Sequence, residues 1–164
     1  MRASLLTLLT GLLLAQASMA QTASTAASVI IDNRQIAITK IVDLNFGTIV
    51  PSLGAAGTAT VGLSNNLSTA NVLTSNTTTV RSAAYNVVGN PFAEFTVTIP
   101  PSVNLSNGSQ SMLVNQFTRT GGATPLVLNS AGSLQFAVGA TLNVNANQAA
   151  GTYTGSFDVT VAYN

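Results

Sequence analysis

The sequence has no cysteine, no histidine and no tryptophan among its 164 residues, and only 5% of its residues are charged. Without histidine and cysteine, the chain lacks the commonest general base, the commonest metal ligand and the thiol nucleophile. Ser-His-Asp catalysis, Cys-His catalysis and disulfide formation are therefore excluded. The four carboxylates are scattered along the chain, which favours neither a calcium site nor a glycosidase pair; they are Asp32, Asp43, Glu94 and Asp158. We expect a protein that is not an enzyme and that holds no metal or cofactor.

The small number of charges also bears on the partners of the protein. Five cationic and four anionic residues give a formal net charge of +1. Cleavage of a leader that contains Arg2 would leave four of each. A neutral chain has no basic surface that could neutralise phosphates, so we expect no nucleic-acid partner. A net charge near zero favours association, which suits a subunit that assembles.

The chain opens with the pattern of a secretory signal peptide. Arg2 precedes an apolar run, Leu5–Ala15, and small residues lead up to Ala20. The apolar run is shorter than the roughly 20 residues that span a bilayer, although a membrane anchor is the open alternative. We predict a signal peptide at residues 1–20 and an exported chain with no integral membrane span after cleavage.

The closing stretch, Gly151–Asn164, alternates between two faces with the period of a β-strand. Its inward face consists of Tyr153, Gly155, Phe157, Val159, Val161 and Tyr163. Such a face needs a second sheet to cover it. Eight to ten short strands, with no amphipathic helix, are predicted along the chain. The predicted fold class is all-β, an antiparallel β-sandwich of the immunoglobulin-like or pilin-like kind, with room for completion by a donor strand.

Several local features complete the predicted organisation. Residues 21–33 are predicted to form an arm or first strand that begins at Ser28, and residues 34–164 to form the sandwich domain. A change of face near Lys40 predicts a bulge. The polar stretch 64–78 is predicted to be mostly loop. Alternating residues predict two separate strands within 134–146.

Three segments resemble a family of exported bacterial β domains. They are Leu44–Ile49, Val138–Leu142 and the closing Gly151–Asn164. The likeness extends from about Ile36 to Asn164. That family carries a domain-of-unknown-function label and is associated with fimbrial operons.

The closing strand is also similar to the C-terminal strand of chaperone–usher pilins, which carries a glycine fourteen places from the end and a penultimate tyrosine. Gly151 and Tyr163 occupy those two places here. In pilins this strand borders the groove that a missing strand leaves in an immunoglobulin-like sandwich. The resemblance implies a groove strand with these residues: Gly151, Tyr153, Phe157, Val159, Val161 and Tyr163.

In pilins the N-terminal arm of the next subunit finally fills the groove. The resemblance therefore implies a donor arm within residues 21–33. Its inward-pointing residues would be Ala23, Thr25, Ala27, Val29 and Ile31. An arm that adds to an open edge gains main-chain hydrogen bonds, while its alternate side chains fill pockets.

The expected function is that of a non-enzymatic structural subunit of a bacterial surface fibre, which assembles by β-strand addition. The expected partners are further copies of itself or other fibre subunits, a periplasmic chaperone and an outer-membrane usher. Such a subunit crosses the periplasm and ends at the cell surface. Cleavage leaves 144 residues, with no room for a separate binding domain, which favours a shaft or minor subunit. The alternative is a monomeric secreted or surface-attached binding module, with carbohydrate as a candidate ligand and a self-complete sandwich.

Overall fold

The computed structural model of the chain describes residues 21–31, 33–75 and 79–164. The predicted signal peptide at residues 1–20 and its cleavage site lie outside these residues. Within them the chain contains twelve strands and no helix, so no described helix could cross a membrane. The predicted fold class, an all-β antiparallel sandwich, is confirmed.

Every strand pairing in the described residues is antiparallel. In chain order the strands are β1 (Ala37–Val42), β2 (Thr48–Pro51), β3 (Gly57–Val61), β4 (Leu67–Ala70), β5 (Val72–Ser75), β6 (Ala83–Val88), β7 (Glu94–Thr98), β8 (Ser102–Ser106), β9 (Ser111–Arg119), β10 (Leu126–Val127), β11 (Ser133–Val144) and β12 (Thr160–Tyr163).

The first sheet is built around β11, its longest strand. Strands β1, β6, β11, β3 and β4 are neighbours in that order, and β9 and β8 extend the sheet from β11. Val138 pairs with both β6 and β9, whereas Leu142 pairs with both β3 and β9. Strands β6 and β3 therefore follow each other along one edge of β11, and β9 lies along the other edge.

The prediction of two strands within 134–146 is wrong, because β11 runs without a break from Ser133 to Val144. Gly139, at its centre, lies against β3, where a β-carbon would be 2.3 Å from the carbonyl oxygen of Val61. This glycine permits a close approach of two backbones and does not mark a turn.

The second sheet contains β10, β7 and β12 in that order, and β2 and β5 form a separate two-stranded sheet. The closing stretch was predicted as one continuous strand, but regular pairing covers only Thr160–Tyr163, and an isolated bridge joins Thr154 to Ser106. Pro100 and Pro101 separate β7 from β8 opposite the gap. Because proline has no N–H to donate, the ladder is interrupted there.

Two further predictions concern a bulge in β1 and a loop at residues 64–78. The predicted bulge near Lys40 is confirmed by a register shift between Lys40 and Val42 in the pairing of β1 with β6. The prediction that 64–78 is mostly loop is wrong, because β4 and β5 lie there, joined at Asn71 with a positive φ of 55°. Pairing with β3 and β2 stabilises these two strands.

The interior contains two clusters of apolar side chains. Buried members of the first core cluster are Phe46, Ala59, Val61, Val72, Val114, Ala140, Leu142 and Val144. Buried members of the second core cluster are Ala83, Tyr85, Val87, Phe95, Leu128, Phe136 and Val138. The half-buried Leu44 and Phe117 pack against both clusters.

Residues 21–31 form a unit of their own, distinct from the sandwich domain. They contain no strand, and every one of them is exposed; the first strand begins at Ala37 rather than at Ser28. Val29, Ile30 and Ile31 form a run of apolar side chains that are 82%, 93% and 87% exposed.

Candidate functional site

Two strand edges of the sandwich approach each other without pairing. Strand β1 is the last strand of the first sheet, and β12 is the last strand of the second sheet. The two strands come close together, yet no hydrogen-bonded ladder joins them. An unpaired edge presents a row of N–H and C=O groups on which another strand can form.

A cavity of about 930 Å³ continues this gap. Residues 43–51 form one wall, and residues 148–157 form the opposite wall. The floor is apolar and comes from β8, β9 and β11: it consists of Val103, Leu105, Met112, Val114, Leu142 and Val144. These side chains belong to the first core cluster or pack against it. The cavity is therefore an opening into the core of the domain. We call it the groove.

The predicted groove strand lies only partly along this groove. Gly151, Tyr153 and Phe157 line it. Three residues of the predicted groove strand do not line the groove: Val159, Val161 and Tyr163. They are half-buried and pack against the second core cluster. Val161 and Tyr163 belong to β12, which pairs with β7.

The aromatic side chains of the second wall are held in place. The hydroxyl of Tyr153 donates a hydrogen bond to the carbonyl oxygen of Ala149 at 2.8 Å and accepts one from Nε2 of Gln148 at 2.9 Å. The ring of Phe157 packs against that of Phe117, with centroids 4.8 Å apart and planes inclined by 50°. This wall is therefore preformed.

The backbone of the same wall is paired on one side. The N–H of Thr154 donates to the carbonyl oxygen of Ser106 at 3.0 Å, and the N–H of Ser106 donates to the carbonyl oxygen of Thr154 at 2.8 Å. Successive residues of an extended chain direct their backbone groups to opposite edges. Tyr153 and Gly155 therefore direct theirs away from β8, toward the side on which the groove lies.

Few charges surround the groove. Lys40 and Asp43 form an exposed ion pair, and both residues line the cavity. Burial raises the pKa of Tyr85, another lining residue, and the charge of Asp43 raises it further. No group of three or more potential metal-ligating side chains occurs within residues 21–31, 33–75 and 79–164. The floor offers apolar contact and the backbone of the second wall offers main-chain hydrogen bonds, which are what an added strand uses.

Sequence reasoning missed the first wall and the floor. A signal for the wall existed in the alternation of Val42, Leu44 and Phe46, which brings Phe46 into the first core cluster. No comparable signal marks Val103 and Met112, because their place at the groove depends on how β8 and β9 pair with β11. The candidate arm residues are exposed, and their donor role stays a prediction; they are Ala23, Thr25, Ala27, Val29 and Ile31.

Comparison with curated proteins and with solved structures gave no match. A comparison with protein families gave one that is described as a domain of unknown function, and its model matches residues 36–163. The match covers all three sheets, the two core clusters and the two walls of the groove. The chain therefore belongs to the DUF4402 family.

Proposed function

We propose that the chain is a non-enzymatic structural subunit of a bacterial surface fibre, in which the N-terminal arm of one copy adds as a strand to the groove of the next. The observation that carries this proposal is the apolar groove that opens into the first core cluster beside two unpaired strand edges. A strand placed there would complete the core and form main-chain hydrogen bonds at the same time.

The arm has a suitable length for this role. At about 3.3 Å per residue, the eleven residues 21–31 extend over roughly 36 Å, compared with roughly 43 Å for the thirteen residues 151–163. An extended arm can therefore follow most of the closing stretch without help from other segments.

The arm also carries exposed apolar side chains that would be stabilised by burial. Val29 and Ile31 share one face of an extended chain and are 82% and 87% exposed. Full burial of such a side chain contributes about 1.5–3 kcal/mol. Two of them, together with the smaller Ala23 and Ala27, would provide a substantial driving force for insertion into a groove with an apolar floor.

A subunit of this kind would be exported to the cell surface with the help of partner proteins. A subunit with an open core would be prone to aggregate before assembly, because exposed apolar surface and unpaired edges promote association. A periplasmic chaperone that covers the groove and an outer-membrane usher that receives the subunit would solve this problem. Export by a signal peptide and a final location on the cell surface belong to the same proposal, as does the role of a shaft or minor subunit.

The alternative of a carbohydrate-binding module has less support. Sugar sites commonly use exposed aromatic rings, but Tyr85 is only 7% exposed. The hydroxyls of Tyr153 and Tyr163 form hydrogen bonds within the domain. No tyrosine is exposed, and Phe92 is the one exposed aromatic residue within residues 21–31, 33–75 and 79–164, so these residues offer no cluster of exposed rings.

The proposal can be tested with two neighbouring arm variants. Ile31→Asp places a charge on the face predicted to enter the groove, whereas Ile30→Asp places it on the opposite face. The two isoleucines are similarly exposed, at 87% and 93%. Material sheared from cells that express the full precursor would be run on SDS gels with and without boiling. We expect wild type and Ile30→Asp to give a ladder that collapses on boiling, and Ile31→Asp to give monomer.

Equal ladders from both variants would reject the predicted arm register. A single monomer band for the wild type, with nothing released by shearing, would reject the fibre proposal. It would favour the self-complete, monomeric binding module, which a glycan screen would then address.

A further inference from the structure

The turn Asn90–Ala93 contains an aromatic residue with a strained backbone conformation and an exposed side chain. The turn is closed by the N–H of Ala93, which donates to the carbonyl oxygen of Asn90 at 3.2 Å. Phe92, its third residue, has a φ of +59° and is 70% exposed. That position suits glycine or asparagine, and the left-handed conformation costs a residue with a β-carbon roughly 1–2 kcal/mol. Because the ring is exposed, packing in the core of its own domain does not offset this cost. The strain therefore points to a contact with another molecule.

The turn that carries Phe92 is firmly attached to the domain. The N–H of Phe92 donates to the carbonyl oxygen of Leu128 at 3.1 Å, and the N–H of Asn90 donates to the hydroxyl of Tyr163 at 2.7 Å. The ring is therefore presented on a fixed support. Rigidly held aromatic side chains are frequent anchors of protein interfaces.

The same turn holds the point at which the chain enters the domain. The N–H of Arg34 donates to Oδ1 of Asn90 at 2.7 Å, and the hydroxyl of Tyr163 donates to the carbonyl oxygen of Arg34 at 2.9 Å. Two residues separate Arg34 from Ile31, so three steps of about 3.8 Å limit the distance between their Cα atoms to roughly 11 Å. Any copy that holds Ile31 in its groove must therefore lie next to this turn.

We propose that Phe92 docks against the copy of the chain that accepts the arm, so that the inserted arm and the turn form a two-part interface. This inference rests on the proposed function, because the accepting copy is brought to the turn by the arm. The partner surface would be apolar and uncharged, in keeping with the low charge of the whole chain. Phe92 would then restrict the angle between successive subunits, because it adds a second point of contact to that of the inserted arm.

The test uses the full-length precursor with the photoreactive residue p-benzoylphenylalanine at position 92. A matched precursor carries it at position 69, which is exposed on β4 and remote in sequence from the turn. Isotopically labelled and unlabelled copies are mixed, so that crosslinks between copies can be identified by mass spectrometry. We expect crosslinking between copies at position 92 to exceed that at position 69 by more than about tenfold, as for a buried interface anchor.

A pair of substitutions supplies a second readout. Phe92→Gly removes the ring and the strain, so monomer stability should be unchanged or raised, whereas fibres should dissociate more than about tenfold faster. Phe92→Tyr keeps the ring and should leave the dissociation rate close to that of wild type. Dissociation is measured from the amount of ladder that survives unboiled after timed incubation at increasing temperature.

The outcomes separate this inference from the proposed function. A ladder without crosslinks between copies at position 92, or fibres unaffected by Phe92→Gly, would overturn the docking of Phe92 and leave strand addition intact. Crosslinks at position 92 without any ladder would overturn strand addition, and they would also overturn the inference that the copy at Phe92 is the one that accepts the arm. The absence of both crosslinks and ladder would overturn both.

Discussion

The hydroxyl of Tyr163 links residues near the two ends of the sandwich domain. It accepts a hydrogen bond from the N–H of Asn90 and donates one to the carbonyl of Arg34. Gly89 leaves room for it, since a β-carbon there would lie 2.2 Å from the hydroxyl oxygen. The penultimate aromatic residue therefore ties Arg34 to the turn at Asn90 and does not line the groove.

The buried hydroxyl of Tyr85 predicts how the stability of the domain depends on pH. Its pKa is raised above the ordinary value of 10.0 by burial and then by Asp43. The unfolded chain therefore releases this proton at a lower pH than the folded chain does, so stability present below about pH 10 is lost as the pH rises above it. We expect the urea midpoint of wild type to fall between about pH 9 and pH 11, and that of Tyr85→Phe to fall less.

The measurement is a series of urea unfolding curves for the two proteins, followed by circular dichroism. Other groups that titrate in this range are common to both, so their effects cancel in the difference between the two midpoints. Parallel pH dependence would show that Tyr85 contributes nothing to it.

At the scale of elements, the contact of the closing stretch with β8 depends on one glycine. A β-carbon at Gly155 would lie 2.6 Å from the carbonyl oxygen of Asn104 and 2.9 Å from Cδ2 of Leu105. Because the nearer atom belongs to the backbone, it cannot move aside easily. We expect Gly155→Ala to lower the free energy of unfolding by about 1–3 kcal/mol.

Gly54→Ala is the matched control, since no atom lies within 4 Å of its added β-carbon. Its effect should stay within about 0.5 kcal/mol. Thermal unfolding of the purified domain measures both variants. Equal stability of the two variants would contradict the close approach of the closing stretch to β8.

The elements also show how far the sequence allows prediction. Alternation alone placed the odd-numbered residues of the closing stretch on the inward face, and Tyr153, Phe157 and Val159 are indeed half-buried while their neighbours are exposed. It did not indicate that regular pairing would be absent between Thr154 and Thr160, because that depends on Pro100 and Pro101, which lie between the partner strands β7 and β8. Periodicity is a local property, whereas pairing is set by a distant segment.

The groove was still harder to predict, because its floor combines three strands. Val103, Met112 and Leu142 are ordinary apolar residues in their own segments, and none stands out in sequence. The polar composition of β4 concealed a strand, since Ser68 and Thr69 are exposed and give no alternation. What could be predicted was the class of fold and one wall of the site.

In the whole molecule, the core of the domain opens on one side into the groove. The second core cluster packs against β7, β10 and β12, whereas residues of the first form much of the floor of the groove. A low net charge removes the repulsion that would keep copies apart. The fibre proposal joins these features, because a strand from another copy would cover the opening.

Amide hydrogen exchange can detect a strand in the groove. Sheared wild-type fibres would be compared with the Ile31→Asp monomer, with the amide of Thr154, already bonded to Ser106, as an internal reference. An added strand should bond the backbone of Tyr153 and Gly155, so their amides should exchange at least about tenfold more slowly in the fibre. Equal exchange at these two amides in fibre and monomer would mean that no strand occupies the groove, and assembly by strand addition would be wrong.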